Sequence, residues 1–241
     1  MNQTIQAIQS AISTNLVSLI SIRVIPPNNT MTTEEFEQNV IALAQSIMSM
    51  KKRHSNNETI YNFKVVINDY IHAAITANVD GIHVKERNIN QIPYIRQTFQ
   101  EKANNNKNDV MIGTSIHSIQ NAKEAFMLYQ PNYLFVGTCY MTQSHPEKVN
   151  VEDLEGPALP GLVKRTLESI LLEEATEEEE GHYCPPKTLP IIYAIGGIDS
   201  NNCAEPVVKY GADGVAVIRS VMQAEDPGGI VENMIHAMTK N

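Results

Sequence analysis

The run Tyr193-Ala194-Ile195-Gly196-Gly197-Ile198 ends in a pair of glycines, and Gly211-Ala212-Asp213-Gly214-Val215-Ala216-Val217-Ile218 answers it a few residues later. Two adjacent glycines at the C-terminal end of a strand let the backbone approach a ligand closely and turn its N–H groups outward. That is chemistry for an anion, and for a phosphate above all. Both segments are short, apolar and β-branched, which predicts buried parallel strands rather than helices. In a (β/α)8 barrel, the loops after the last two strands are a common seat for a phosphate. The residues therefore predict an α/β barrel of the TIM type that handles a phosphorylated small molecule.

The elements that must position this turn are legible along the chain. Strands are predicted at 16–25, 63–68, 81–85, 110–115, 133–139, 190–196 and 214–219. Helical stretches are predicted at 4–14, 33–50, 70–78, 91–100, 118–129, 158–172, 200–210 and 227–239. Thr32 or Thr33 is the expected N-cap of the second helix. This alternation is the pattern of a parallel α/β domain. Seven strands are counted and a helix comes first, so the expected barrel has its first strand missing or replaced. A doubly wound open sheet is the competing class.

At 241 residues the chain is long enough for one such barrel, which needs about 250. It is expected to form a single domain over residues 1–241. Its net charge of −9 disfavours a nucleic-acid binder, whose signature is a basic face. No apolar run is long enough for a transmembrane helix, and the N-terminus lacks a secretory pattern. Three widely spaced cysteines fit a reduced compartment, so a soluble intracellular protein is expected, cytoplasmic by default. The Glu-rich stretch from Glu173 reads as a solvated, mobile acidic loop at about 173–188. His182 and Cys184 follow it, but two ligands without partners do not make a metal site.

From about residue 19 to 227 the chain resembles the thiamine phosphate synthase/TenI superfamily. The carrying motifs are Val66-Ile67-Asn68-Asp69, Asp80-Gly81-Ile82-His83-Val84, Ile112-Gly113-Thr114-Ser115-Ile116-His117-Ser118, Phe135-Val136-Gly137, Thr142-Gln143-Ser144-His145 and the two glycine-containing runs above. The resemblance implies a transferase of thiamine biosynthesis. It couples a hydroxymethylpyrimidine diphosphate to a thiazole phosphate and releases pyrophosphate, with Mg²⁺ as the cofactor. It further implies metal ligation by Asp69 and catalytic contacts from Arg23 and Ser115; Glu86 is read as a substitute for the family's second metal carboxylate, and His145 as a catalytic contact in place of a family lysine. Substrate and phosphate contacts are implied for Asn68, Thr142, Ser144, Gly196, Gly197, Ile218 and Arg219. Read from the residues alone, Asp69 is equally an N-cap for the helix that follows it.

The chain also departs from the family pattern. Where synthases carry Gln-x-Arg-x-Lys, this chain has Ser21-Ile22-Arg23-Val24-Ile25, which keeps only the arginine. The second metal aspartate falls at Asn88, two residues from Glu86, and the lysine of the Thr-x-Thr-Lys loop becomes His145. The serine after the last strand becomes Arg219. Two alternatives follow. One is a TenI-like thiazole isomerase, although Thr138 stands where that branch has its histidine base. The other is a non-catalytic phosphate-binding or regulatory barrel. A homo-oligomer is expected, because seven strands leave a sheet edge to cover.

Overall fold

The computed structural model describes residues 2–24, 31–51, 61–102, 110–143, 147–148, 150–178 and 188–239. Its strands are β1 (Leu19–Ile22), β2 (Lys64–Asn68), β3 (Gly81–Val84), β4 (Met111–Ile116), β5 (Tyr133–Val136), β6 (Ile191–Ile195) and β7 (Gly214–Ala216). They form one seven-stranded sheet in chain order, β1 to β7, and the registered pairs are parallel. A doubly wound sheet reverses its order partway. This one does not, which assigns the chain to the TIM-type (β/α) class with seven strands. The residues fall into two compact units, the first comprising Met1–Ile112 and Ile218–Ile235, the second Gly113–Val217 and His236–Asn241.

In the first unit the helices are α1 (Asn2–Ser13), α2 (Thr33–Lys51), α3 (Ile71–Thr76), α4 (Ile92–Lys102) and α7 (Arg219–Met222), with the start of α8 (Pro227–Thr239). Helix α2 is capped by Thr32. The Thr32 hydroxyl accepts the Glu35 N–H at 3.2 Å, and the Glu35 carboxylate accepts the Thr32 N–H at 2.9 Å. This reciprocal pair is a capping box, which satisfies two donors that the first turn leaves open. Phe36, Val40, Ile41, Ala44 and Ile47 recur at helical spacing and are buried. Helix α1, the element ahead of β1, is tied down where the Ser10 hydroxyl accepts the Gly228 N–H at 3.0 Å.

Strands β2 and β3 are apolar on both sides, as parallel strands must be when helices cover one face and other side chains the other. Val65, Val66, Ile67 and Ile82 are fully buried. Asp80 fixes their starting ends: its carboxylate accepts the Val65 N–H at 2.7 Å and the Lys51 ammonium.

The second unit repeats that device. Asp213, just before β7, accepts the Ile192 N–H at 2.8 Å and pairs with Lys164 at 2.5 Å. Lys164 belongs to α6 (Leu159–Glu178), which packs on β6 and on α5 (Ile119–Glu124). One face of β5 and β6 is aromatic, with Tyr133, Phe135 and Tyr193 ring centroids 5.0–6.2 Å apart. Gly113 makes room for this cluster, because a Cβ there would overlap the Tyr133 ring.

Several expected boundaries move. The β5 strand stops at Val136, and β7 stops at Ala216, so Arg219 opens helix α7 instead of ending a strand. The predicted 200–210 helix is a wide, π-type turn at Glu205–Lys209. The first part of the expected acidic loop, residues 173–178, is the last part of α6. Glutamate is a good helix former, and that propensity carries the helix into this stretch. Residues 179–187, including His182 and Cys184, lie outside the described residues. No described helix is long and apolar enough to cross a membrane.

Candidate functional site

The first unit carries a charged cluster at the ends of β1, β2 and β3. Asn68 closes β2, and its side-chain oxygen accepts the Ser21 hydroxyl at 2.6 Å, tying the end of β2 to β1. Asp69 follows with φ +63°, a left-handed conformation uncommon outside glycine. Its N–H donates to the His83 carbonyl at 3.0 Å, so the chain turns sharply and the side chain is presented at the strand end. Tyr70, not Asp69, holds the N-cap position of α3. The carboxylate has a different partner. Lys85, directly after β3, reaches Asp69 Oδ2 with its ammonium at 2.5 Å and Oδ1 with its own N–H at 3.4 Å.

His83 lies beneath this cluster, buried and paired in register with Asn68. Burial pushes its imidazole down to about 3; Asp69 opposes that, while Arg23 and Lys85 reinforce it. A histidine so depressed stays neutral at physiological pH and is a structural group here, not a proton carrier. Arg23 is exposed just past β1, and Glu86 is half-buried at the start of a 3₁₀ turn, Glu86–Gln91. Ile218 is exposed and Arg219 half-buried at the start of α7.

Magnesium takes hard oxygen ligands and commonly uses only one or two carboxylates, the rest coming from water and substrate phosphates. The Asp69 carboxylate, presented by its turn at a strand end, is a donor of that kind, and Glu86 directly follows Lys85, whose N–H reaches that carboxylate. Among the described residues no three His, Cys, Asp or Glu side chains gather into a cage. The Asp69 carboxylate fits an ion that takes its remaining ligands from water and phosphate oxygens. Asp69 and Glu86 are the groups that would hold it.

The second unit builds its candidate site mostly from backbone. Gly196 and Gly197 follow β6 with φ +99° and +65°. Their carbonyls face inward: Gly196 O accepts the Tyr140 N–H at 3.0 Å, and Gly197 O accepts Asn202 Nδ2 at 3.0 Å. A Cβ on Gly197 would collide with the Met141 and Tyr140 carbonyls, and one on Gly196 with the Thr138 methyl at 2.6 Å. Glycine is thus required twice over, by conformation and by the closeness of the 138–141 segment.

That segment is held from its other side. The Glu155 carboxylate accepts the Thr138 N–H at 2.5 Å and the Lys148 ammonium at 2.5 and 2.6 Å, and His117 Nδ1 lies 3.6 Å from it. Burial raises the Glu155 pKa, but Lys148 and the Thr138 N–H outweigh burial and hold it below its ordinary value. Cys139 is no nucleophile, since burial pushes its thiol up to about 12. Ser115 is half-buried on β4 and paired in register with Phe135; Thr142 is half-buried in the loop after β5. Ser144 and His145 lie outside the described residues.

The structure thus brings Asp69 together with Lys85 and places Arg23 within electrostatic reach of their neighbour His83. Sequence reasoning missed Lys85, Lys148 and Glu155. The signal for the lysines was present: Lys85 directly follows a predicted strand, and Lys148 stands three residues beyond His145.

A model of the thiamine monophosphate synthase family matches residues 2–221. The thiamine-phosphate synthase of Listeria monocytogenes is 31% identical over 174 residues, which are 72% of this chain and 66% of that protein. That of Bacillus velezensis is 29% identical over 67% of this chain and 57% of its own length. The chain therefore matches 57–66% of the length of these curated relatives. Among solved structures, thiamine phosphate pyrophosphorylase from Pyrococcus furiosus superposes with a TM-score of 0.62 at 20% identity, covering 97% of this chain and 88% of that one.

Proposed function

The chain belongs to the thiamine monophosphate synthase family, and on that premise we propose that it forms thiamine phosphate from a hydroxymethylpyrimidine diphosphate and a thiazole phosphate. The observation that carries this reading is the charged group at the ends of β1 to β3, where Lys85 pairs with Asp69 and Arg23 stands exposed just past β1. A diphosphate leaving group needs such cations. In the proposed reaction the bond between the pyrimidine methylene carbon and the diphosphate oxygen breaks. The oxygen keeps the electron pair, and the thiazole nitrogen forms the new bond to that carbon.

Arg23 and Lys85 face charge that grows as the diphosphate departs, and fixed cations stabilise that transition state more than the ground state. Asp69 and Glu86 would hold Mg²⁺, which would supply additional neutralisation of the diphosphate. In the second unit the Gly196–Gly197 turn anchors the thiazole phosphate by backbone donors. Ser115, Thr142, Ser144 and His145 contact substrate, as do Asn68, Ile218 and Arg219. We also read the protein as a homo-oligomer, for which a clean monomer in light scattering is the opposing result.

The test is thiamine phosphate formation by purified protein given Mg²⁺ and both substrates. Asp69→Ala should lower turnover by a factor of about 100 or more, as loss of the carboxylate that would hold the charge-neutralising ion does, without unfolding the protein. Full activity in that variant sinks the assignment.

One observation favours a second reading, that of a thiazole isomerase: His117 lies beside the Glu155 carboxylate directly after β4. A carboxylate beside an imidazole is a common way to orient a base. Conversion of the thiazole tautomer without the pyrimidine diphosphate supports it; no conversion at saturating substrate rejects it.

A further inference from the structure

We infer that Lys85 is the resident cation of the Asp69 carboxylate, so that a divalent ion binds there only in competition with the chain's own ammonium, and that this ammonium itself binds the diphosphate. The inference rests on the proposed function for the identity of the ligand, and on the structure for the competition. One residue addresses both oxygens of one carboxylate, Oδ2 through the side chain and Oδ1 through the backbone N–H. The left-handed turn at Asp69 and its N–H bond to the His83 carbonyl fix the carboxylate toward the end of β3, where Lys85 stands.

The two contacts differ in what an arriving metal ion must disturb. The backbone N–H is part of the fold and stays. The ammonium sits on a four-carbon stem that is 44% exposed, so it can swing away. Its departure gives up a half-exposed ion pair of about 1 kcal/mol, which corresponds to about a fivefold weakening of the metal. An ammonium left beside a divalent ion adds repulsion to that. A diphosphate changes the balance, because its oxygens accept the displaced ammonium and the metal at once. Metal and diphosphate should therefore bind cooperatively, each lowering the cost of the other.

The experiment uses the full chain and needs no turnover. Mn²⁺ binding is followed by the electron paramagnetic resonance of the free ion, in wild type, Lys85→Gln, Lys85→Arg and the Asp69→Asn/Lys85→Gln double variant. Lys85→Gln should bind Mn²⁺ about five- to tenfold more tightly than wild type, Lys85→Arg should not, and Asp69→Asn should cancel the gain. Inorganic diphosphate is titrated calorimetrically in the presence of a chelator, where Lys85→Gln should bind at least about fivefold more weakly. Equal Mn²⁺ affinity in wild type and Lys85→Gln overturns the competition, as does a gain that survives Asp69→Asn. Unchanged diphosphate affinity overturns the ligand role. A protein that shows these shifts but makes no thiamine phosphate leaves the inference standing and removes the proposed function instead.

Discussion

Asp80 in the first unit and Asp213 in the second do the same work: each precedes a strand, accepts an N–H from the strand before it and pairs with a helix lysine. Beyond those strands the two units part. The first ends its strands in exchangeable side chains, Arg23, Asp69 and Lys85. The second ends in a glycine turn packed against backbone, with Glu155 holding the far side of the 138–141 segment. A site of side chains is rewired by single substitutions that leave the fold alone. A backbone site is not, because the residues that would bind are also the residues that pack.

The largest effect that tests this contrast lies at Gly197. Alanine there meets two carbonyls and must adopt a left-handed φ, so Gly197→Ala should cost about 3 kcal/mol or more in denaturant unfolding. A loss under about 1 kcal/mol would show the turn to be pliable and would break the comparison.

Next come the paired aspartates. Asp80→Ala and Asp213→Ala each remove an ion pair and leave a strand N–H without its acceptor, at a cost of about 2 kcal/mol apiece. Equal losses confirm a shared device; a loss at one alone shows that the resemblance is only geometric.

A similar magnitude should appear on acidification, from the first unit. The folded His83 pKa of about 3 lies below the ordinary 6.5, so the unfolded chain binds the proton more readily. Stability is complete above pH 6.5 and is lost as pH falls from there toward 3. At pH 5 the loss is about 2 kcal/mol. Denaturant midpoints from pH 7 to 5 measure it, and His83→Asn should flatten the slope over that range.

The smallest effect on stability belongs to Lys85→Gln, under about 1 kcal/mol because the pair is half-exposed. That near-neutrality, set beside Gly197→Ala, is the contrast in its sharpest form.

The sequence alone determined the architecture and the glycine turn. Continuous apolar runs such as Val65-Val66-Ile67 leave a parallel strand little alternative, and a Gly-Gly pair after a strand has few uses other than close approach. It also determined the family, through motifs kept in order over most of the chain. It did not determine where Asp69 points. Local chemistry allowed a helix cap as readily as a ligand, yet the left-handed turn moves the cap to Tyr70 and delivers the carboxylate to a lysine sixteen positions away. Nor did it reveal that Glu155 and Lys148 steady the segment against the glycines. Strands and turns follow from neighbouring residues, whose preferences the sequence prints directly. Ion pairs between strand ends depend on how far each strand runs and how its last residue turns, and tertiary structure alone decides that.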